Sequence, residues 1–502
     1  MSGLAVVSAD DLAGPRPQFE AILRFVDSDD AFSMEHGELE ETLVKEGREL
    51  IRRLLQEHLD KRAQREPRLE VVDAEGVERN RVEQAHTRAL TTMVGEVEVA
   101  RQAYRARGRA NLHPADADLN LPLEQYSHGL RKAAALEAAR GSYEAVQETI
   151  QRQTGVKIGK RQIEELAIRS ARDFEDFYAE RSRQPHGVED VLVISADGKG
   201  IRMLSDSLRE DTQRAAARSQ QKLGSRLSKG EKGNRKRIAE VGAVYDLAPV
   251  PRTPEQILGQ AAEGESGAAP KARGKWVTAS VVEDAAVVVR RIFDEAQRRD
   301  PEHRRTWVVL VDGNNHQLDL IRQEAKYRPA AVHILCDFVH VLEYLWQAAW
   351  CFFTEGDIAA EAWVKEKALS VLRGNPGLVA ASIRRTATRR TLAPAERKQA
   401  DTCSNYLLRK APYMDYPRAL RDGWPIATGV IEGAVRHLVK DRMDITGARW
   451  GLDGAEAVLR LRALRTNRDF DAYWRFHLIR EKRRVHLSRY RGNSIPAEPT
   501  LT

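Results

Sequence analysis

Two aliphatic runs, Val191-Leu-Val-Ile-Ser-Ala196 and Trp307-Val-Val-Leu-Val311, each close on Asp-Gly, at Asp197-Gly198 and Asp312-Gly313. Uncharged stretches of β-branched and aliphatic residues suit buried strands, and Asp-Gly is the turn chemistry that ends a strand. Strand patterns recur near 191–196, 200–204, 238–246, 275–282, 306–312 and 331–336, with helical patterns near 283–299 and 315–327. That alternation predicts an α/β layer with a mixed sheet. Its two Asp-Gly ends place one carboxylate each at the rim of the layer.

A third carboxylate, Glu432, lies in Gly423-Trp-Pro-Ile-Ala-Thr-Gly-Val-Ile-Glu432. Pro425 and Thr428 suit a helix start, with Thr428 as the candidate N-cap. Arg436 and Lys440 follow Glu432 at four-residue steps, on one helix face, as cations to grip phosphate, and Arg449 beyond Thr446-Gly447 would extend that grip. Two acids at strand ends and a Glu on a helix suit a divalent-metal site for phosphodiester chemistry, because hard oxygen ligands hold Mg²⁺ or Mn²⁺. The plain alternatives are turn residues at Asp197 and Asp312 and a surface ion-pair ladder after Glu432. Asp337 and His340, in Asp337-Phe-Val-His340 at the end of a further strand, are either a helix cap or a flank of that site. His316 and His333 lie nearby, but no regular zinc spacing links them.

Away from this layer the pattern is helical. Leu39, Leu43, Leu50, Leu54, Leu55 and Leu59 recur at three- and four-residue steps. Met93 to Tyr104 alternates like a half-buried strand, and Arg105-Ala-Arg-Gly-Arg109 follows it as a turn. Ser142–Ile150 and Ile158–Ile168 read as short helices joined at Thr154-Gly155, the second opening with Lys160 and Arg161. That is the spacing of a helix-turn-helix and equally of a plain helical hairpin. From about 338 to 420 the chain is again helical, starting with the apolar Val339–Phe353 run.

The formal charge is +7 over 502 residues, a length that predicts two to four domains. Within 209–237 ten basic residues face three acids, and Arg214, Arg218, Lys222 and Arg226 fall at four-residue steps before Arg235, Lys236 and Arg237. Like charges on one helix face are destabilising until neutralised, so phosphate contact is the expectation. Residues 251–274, rich in Pro, Gly, Ala and Glu, read as a flexible loop. At the C-terminus, arginines from Arg460 to Arg491 interleave with Tyr473, Trp474, Phe476 and Tyr490. Such a segment either contacts nucleic acid by stacking or packs as a helix on the core. The three cysteines, Cys336, Cys351 and Cys403, form no CxxC pair, and neither a membrane-length apolar run nor a signal peptide is visible. A cytoplasmic protein is expected, nucleoid-associated when bound to DNA.

Four stretches are similar to bacterial insertion-sequence transposases of the Kra type (the ISKra-four family). They are Ser195-Ala-Asp-Gly-Lys-Gly200, Val311-Asp-Gly-Asn-Asn315, Asp337-Phe-Val-His-Val-Leu-Glu-Tyr-Leu-Trp346 and the run from Trp424 to Trp450. The likeness extends from about 80 to 490, and it implies a DDE transposase. Its core would be RNase H-like, with two divalent ions (Mg²⁺ or Mn²⁺) and transfer of element ends into target DNA by a homo-oligomer. By position the triad resembles Asp197, Asp312 and Glu432, with Asp337 and His340 matching the auxiliary C/D-x-x-H motif of Mutator-like relatives. A competing assignment makes Asp337 the second acid. Asp312 is preferred, because in such relatives the D-x-x-H strand follows the strand bearing the second Asp. Family members often carry cysteine pairs near the Tyr104 hairpin, and this chain has none there.

The expected layout is a loosely ordered lead-in over 1–32 and a mainly helical DNA-binding region over 33–185. An α/β RNase H-like core over 186–345 and 423–465 follows, interrupted by an all-helical insertion over 346–422, with a basic aromatic tail over 466–502. A metal-dependent nuclease without strand transfer and a non-catalytic helix-turn-helix regulator are the rival readings.

Overall fold

A computed structural model describes residues 14–181, 187, 189–218, 235–259, 270–445 and 447–496. The chain divides into two compact units, one formed by residues 1–179 with 469–502 and the other by 180–468. The C-terminal segment thus belongs with the N-terminal one, which no local pattern announces.

In the first unit, helices α1 (Pro15–Val26), α2 (Asp29–Ser33) and α3 (His36–Gln64) precede a β-hairpin of β1 (Arg81–Thr92) and β2 (Gly95–Arg105). The alternation at Met93–Tyr104 was half of this hairpin: Met93-Val94 is its turn, and β1, mostly solvated and rich in charge, carried no apolar signal. Leu59 of α3 packs with Leu90, Val97, Val99 and Leu121. Helices His128–Ala138, Tyr143–Thr154 and Lys160–Ser170 pack on one another, and Gly155 makes the intervening turn at φ +74°. Helix Phe470–Val485 is part of this unit rather than a free tail. Tyr473 and Trp474 are buried, Tyr473 donates to the Ser170 carbonyl (2.6 Å), and Arg484 pairs with buried Asp173. Tyr473 and Trp474 are core residues here, and burial withdraws them from base stacking, whereas Phe476 is half-buried.

The second unit is mixed α/β. Strands β3 (Val191–Arg202), β4 (Lys236–Leu247), β5 (Ala272–Ser280), β6 (Thr306–Val311) and β7 (Ala331–Cys336) form one sheet in the order β5-β4-β3-β6-β7. The β3–β4 and β4–β5 pairs are antiparallel; β3–β6 and β6–β7 are parallel. Helix Ala285–Arg299 covers β4 and β3 with Val288, Val289, Ile292 and Phe293. Residues 338–421 then form only helices, among them Phe338–Ala349 and Lys398–Lys410.

One strand differs from its reading. The sequence predicts separate strands at 191–196 and 200–204, but β3 is continuous through Asp197-Gly198, because β4 pairs with it from Val191 to Arg202. Gly198 makes no turn here. A Cβ at that position would lie 2.9 Å from Ile238 Cγ2 across the ladder, so glycine answers a close cross-strand approach. At Gly313 the turn reading does describe the backbone, with φ +90°.

Candidate active site

The paired part of β3 and β6 ends at Ser195↔Leu310. Asp197 and Asp312 each lie two residues beyond, so the parallel register brings them out level on neighbouring strands. They sit beside the strand from which the chain departs to β4 and β5 on one flank and later to β6 and β7 on the other. Ligands of α/β sheets bind outside the carboxyl ends of strands at such a reversal. Asp197 is half-buried, and its Oδ1 accepts its neighbour Gly198 N–H (2.6 Å). Burial raises its pKa, and the Asp312 carboxylate raises it further, against the pull of Gly198, His340 and Lys440.

Asp312 is held by its loop. Its Oδ1 accepts the Asn314 amide (2.7 Å), and Asn314 caps helix Asn315–Lys326. Helix Lys398–Lys410 closes over the loop: Tyr406 donates to the Asp312 carbonyl (3.3 Å) and buried Lys410 donates to Asn315 Oδ1 (2.6 Å). Neither residue was singled out from the sequence, and nothing in their helix pattern could have done so, since both partners lie about a hundred residues upstream.

Asp337, only 1% exposed, is the N-cap of helix Phe338–Ala349, with Oδ1 accepting the Val339 amide (2.8 Å). Its own amide donates to the Val311 carbonyl, and Phe338 N–H donates to the Ile426 carbonyl, both at 2.8 Å. These bonds join the ends of β6 and β7 to the segment that leads into Glu432. Thr428 occupies the N-cap position of helix Gly429–Val435 but makes no side-chain cap. Its hydroxyl donates instead to Asp337 Oδ2 and lies 3.4 Å from Glu432 Oε1. Donation to the buried carboxylate is a charge-assisted hydrogen bond, and it fixes the hydroxyl toward Asp337 rather than toward the free N–H groups of its own helix. Burial raises the Asp337 pKa; Thr428 and Val339 oppose that, and the Glu432 charge adds to it.

Helix Gly429–Val435 packs on β3 and β4, and beyond it the chain returns to β3, where Trp450 N–H donates to the Arg202 carbonyl (3.1 Å) and Leu204 N–H to the Trp450 carbonyl (2.8 Å). Residues 436–440 form a π-helical turn, which breaks the four-residue phase expected for Arg436 and Lys440. Arg462 donates to the His437 (2.8 Å) and Leu438 (3.0 Å) carbonyls in that turn, and burial lowers its pKa to about 10.

Two electrostatic pairs result, Asp197 with Asp312 and Asp337 with Glu432, and His340 acts on one member of each. Glu240 on β4 is a further acid that the sequence reading missed; burial raises its pKa and the Asp197 charge adds to it. Its signal was an acid inside the mostly apolar strand run Ile238-Ala-Glu-Val-Gly-Ala-Val-Tyr245. The pairs are neighbours, not a closed ligand shell: among the described residues no three His, Cys, Asp or Glu side chains converge as a metal-binding group.

The expected DNA-contacting cations fare unevenly. Lys440 lies near Asp197, and Arg436 is exposed beside Asp441 (3.7 Å). Arg449 is exposed. Arg214 is exposed but pairs with Asp211 (3.1 Å) and Glu210 (3.5 Å), so its part of the stripe is neutralised within one helical turn. Arg218 follows the end of that helix, Arg235 precedes β4, and Lys236 pairs with Asp444 (3.4 Å). Arg237 is half-buried and donates to the Val281 (2.6 Å) and Val282 (3.1 Å) carbonyls. In the first unit Lys160 pairs with Glu144 (2.5 Å) and Arg161 with Glu165 (3.2 Å), both exposed. Lys222 and Arg226 lie outside the described residues, as does much of the 251–274 loop.

Comparison with protein-family models and with curated proteins returned no match. Among the described residues no helix is long and apolar enough to cross a membrane.

Proposed function

We propose that the five-stranded layer is an RNase H-like core and that the chain is a DNA transposase, cutting insertion-sequence ends and joining them to target DNA. The observation that carries this reading is the level emergence of Asp197 and Asp312 beside the sheet's reversal point, with Glu432 brought to the same rim through Thr428 and Asp337. The donors are hard oxygens, and their mutual repulsion raises the free energy of the ionised, metal-free site, as befits residues that hold Mg²⁺ or Mn²⁺. Two bound ions would activate the attacking oxygen and stabilise the leaving one. Asp197 and Asp312 would be the principal ligands, with Glu432 completing the set. Both Asp337 oxygens already accept hydrogen bonds, which suits a brace that positions Thr428 and Glu432 more than a ligand. His340 and Lys440 offset the negative charge at the rim, and Lys440, Arg436 and Arg449 are the cations placed to meet the phosphate backbone.

The reading calls for short inverted repeats flanking the coding region, and the test is cleavage and strand transfer on DNA carrying those ends, with Mg²⁺ or Mn²⁺. Asp197→Asn, Asp312→Asn and Glu432→Gln should each abolish cutting and leave end binding within about twofold. Robust metal-dependent cutting by any of the three sinks the assignment. Cutting without joining of pre-cut ends identifies a nuclease; metal-independent binding with no cutting, indifferent to the substitutions, identifies a regulator.

A further inference from the structure

Helix α3 spends three of its faces inside its own unit. Gln56 exchanges hydrogen bonds with the Glu98 backbone of β2 (2.8 and 2.9 Å), Glu46 accepts from Gln18 of α1 (2.9 Å), and Arg48 donates to the Gln153 carbonyl (3.0 Å). The remaining face carries Val44, Gly47, Ile51 and Leu54, spaced three, four and three residues apart, which is the repeat of a helix–helix seam. Its three apolar side chains face solvent; Ile51 is 54% exposed. Phe19, Leu23 and Val26 of α1 and Phe32 of α2, the last 79% exposed, add to the apolar surface of this hairpin. Exposed apolar surface concentrated on one element marks an interaction site.

Two features select the occupant. Gly47 lies in mid-helix, where glycine weakens a helix relative to alanine, and a Cβ there would meet nothing within 4 Å. Among the described residues no neighbour requires the missing side chain, whereas a second helix crossing at that point would use the space for close approach. The charge is polarised about the same residue. Within α3, residues 36–46 hold four acids against Lys45, and residues 48–64 hold five Lys and Arg against three acids. A copy of α3 laid antiparallel across the first sets each acidic half against a basic half; a parallel copy sets like against like.

We infer that α3 pairs antiparallel with α3 of a second copy, about a two-fold axis beside Gly47. Self-complementarity of this kind is what an isologous dimer requires, since both partners present the same patch. The axis places Val44 of one protomer opposite Ile51 of its partner, and both copies bury Leu54. The pairing depends on no feature of the carboxylate site, so it stands or falls separately from the proposed chemistry.

The full-length protein should sediment as a dimer at micromolar concentration. Ile51→Glu and Leu54→Glu should each weaken association at least a hundredfold. Both positions are exposed in the protomer, so circular dichroism should stay as in the parent chain, and melting temperatures should agree at concentrations low enough for both to be monomeric. Association should also weaken as salt rises, because rim charges are screened. Orientation is read by cross-linking: an equimolar mixture of Val44→Cys and Ile51→Cys chains should form a disulfide dimer far faster than either alone, with the parent chain as control for Cys336, Cys351 and Cys403. A monomer at all concentrations, a dimer indifferent to Ile51→Glu, or self-cross-linking by Val44→Cys alone each overturns the proposal.

Discussion

His128 gives a sharp measurable consequence of packing in the first unit. Its Nε2 meets the Asn120 carbonyl at 2.7 Å, and its Nδ1 meets Arg131 Nη2 at 2.8 Å. An arginine can only donate, so Nδ1 must accept and the proton must reside on Nε2. The neutral ring is therefore fully bonded, and a second proton would set an N–H against a guanidinium. Burial first, and the Arg131 charge second, lower its pKa from 6.5 to about 4. The sign follows from linkage: above 6.5 both folded and unfolded chains are neutral at this residue and the contribution is whole. Between 6.5 and about 4 only the unfolded chain takes the proton, so stability falls; below that range the loss is complete. At about 1.4 kcal/mol per pH unit, the gap is worth roughly 3 kcal/mol. Two measurements check it. The His128 Cε1–H resonance should titrate near pH 4, and His128→Gln should flatten the fall in urea midpoint between pH 6.5 and 4.5 relative to the parent chain. A His128 titration near 6.5, or an acid slope unchanged in the variant, refutes the reasoning.

Further outcomes concern the rim of the sheet. Thr428→Val removes the hydroxyl from buried Asp337 and should cost about 1.5–3 kcal/mol in thermal or urea unfolding, with Thr428→Ser recovering most of it; equal losses in both variants point to packing instead. Asp197→Asn should raise the melting temperature of metal-free protein at pH 7, because its folded pKa is raised and ionisation there opposes folding. The gain should vanish as pH falls below the ordinary aspartate range, and a variant less stable at pH 7 contradicts the repulsion. Gly313→Ala forces a side chain onto φ +90°, with Tyr406 Cε2 only 3.1 Å from the new Cβ. It should cost at least about 1–2 kcal/mol and loosen the Asp312 loop, seen as faster amide exchange at Asn314; unchanged exchange there rejects the Tyr406 closure.

Strands and helices of the second unit were legible wherever one side of a segment is buried along its whole length. The run 306–312 and the helix beginning near 283 are strong apolar patterns, and burial follows them directly; the run 331–336 is buried only at Leu335 and Cys336. Legibility failed where a residue answers a distant neighbour. Gly198 reads as a turn because its reason, Ile238, is on another strand. Thr428 reads as a cap because Asp337, its partner, is 91 residues away. Arg237 reads as a free cation because the carbonyls it serves follow β5. Tyr473 and Trp474 read equally as stacking platforms or as core, and only the docking of their helix decides.

What the sequence by itself determined is the set of segments that must be buried, and hence a mixed α/β layer with Asp312 at the end of one of its strands. Short-range pattern suffices for that, since period and apolarity are properties of consecutive residues. Only the tertiary structure decided that Asp197 and Asp312 emerge level, that Asp337 and Thr428 tie Glu432 to the same rim, and that much of the basic charge is spent internally. Those are long-range pairings, in which a hydrogen bond or ion pair is won by whichever buried partner competes best, and competition among distant groups leaves no local mark.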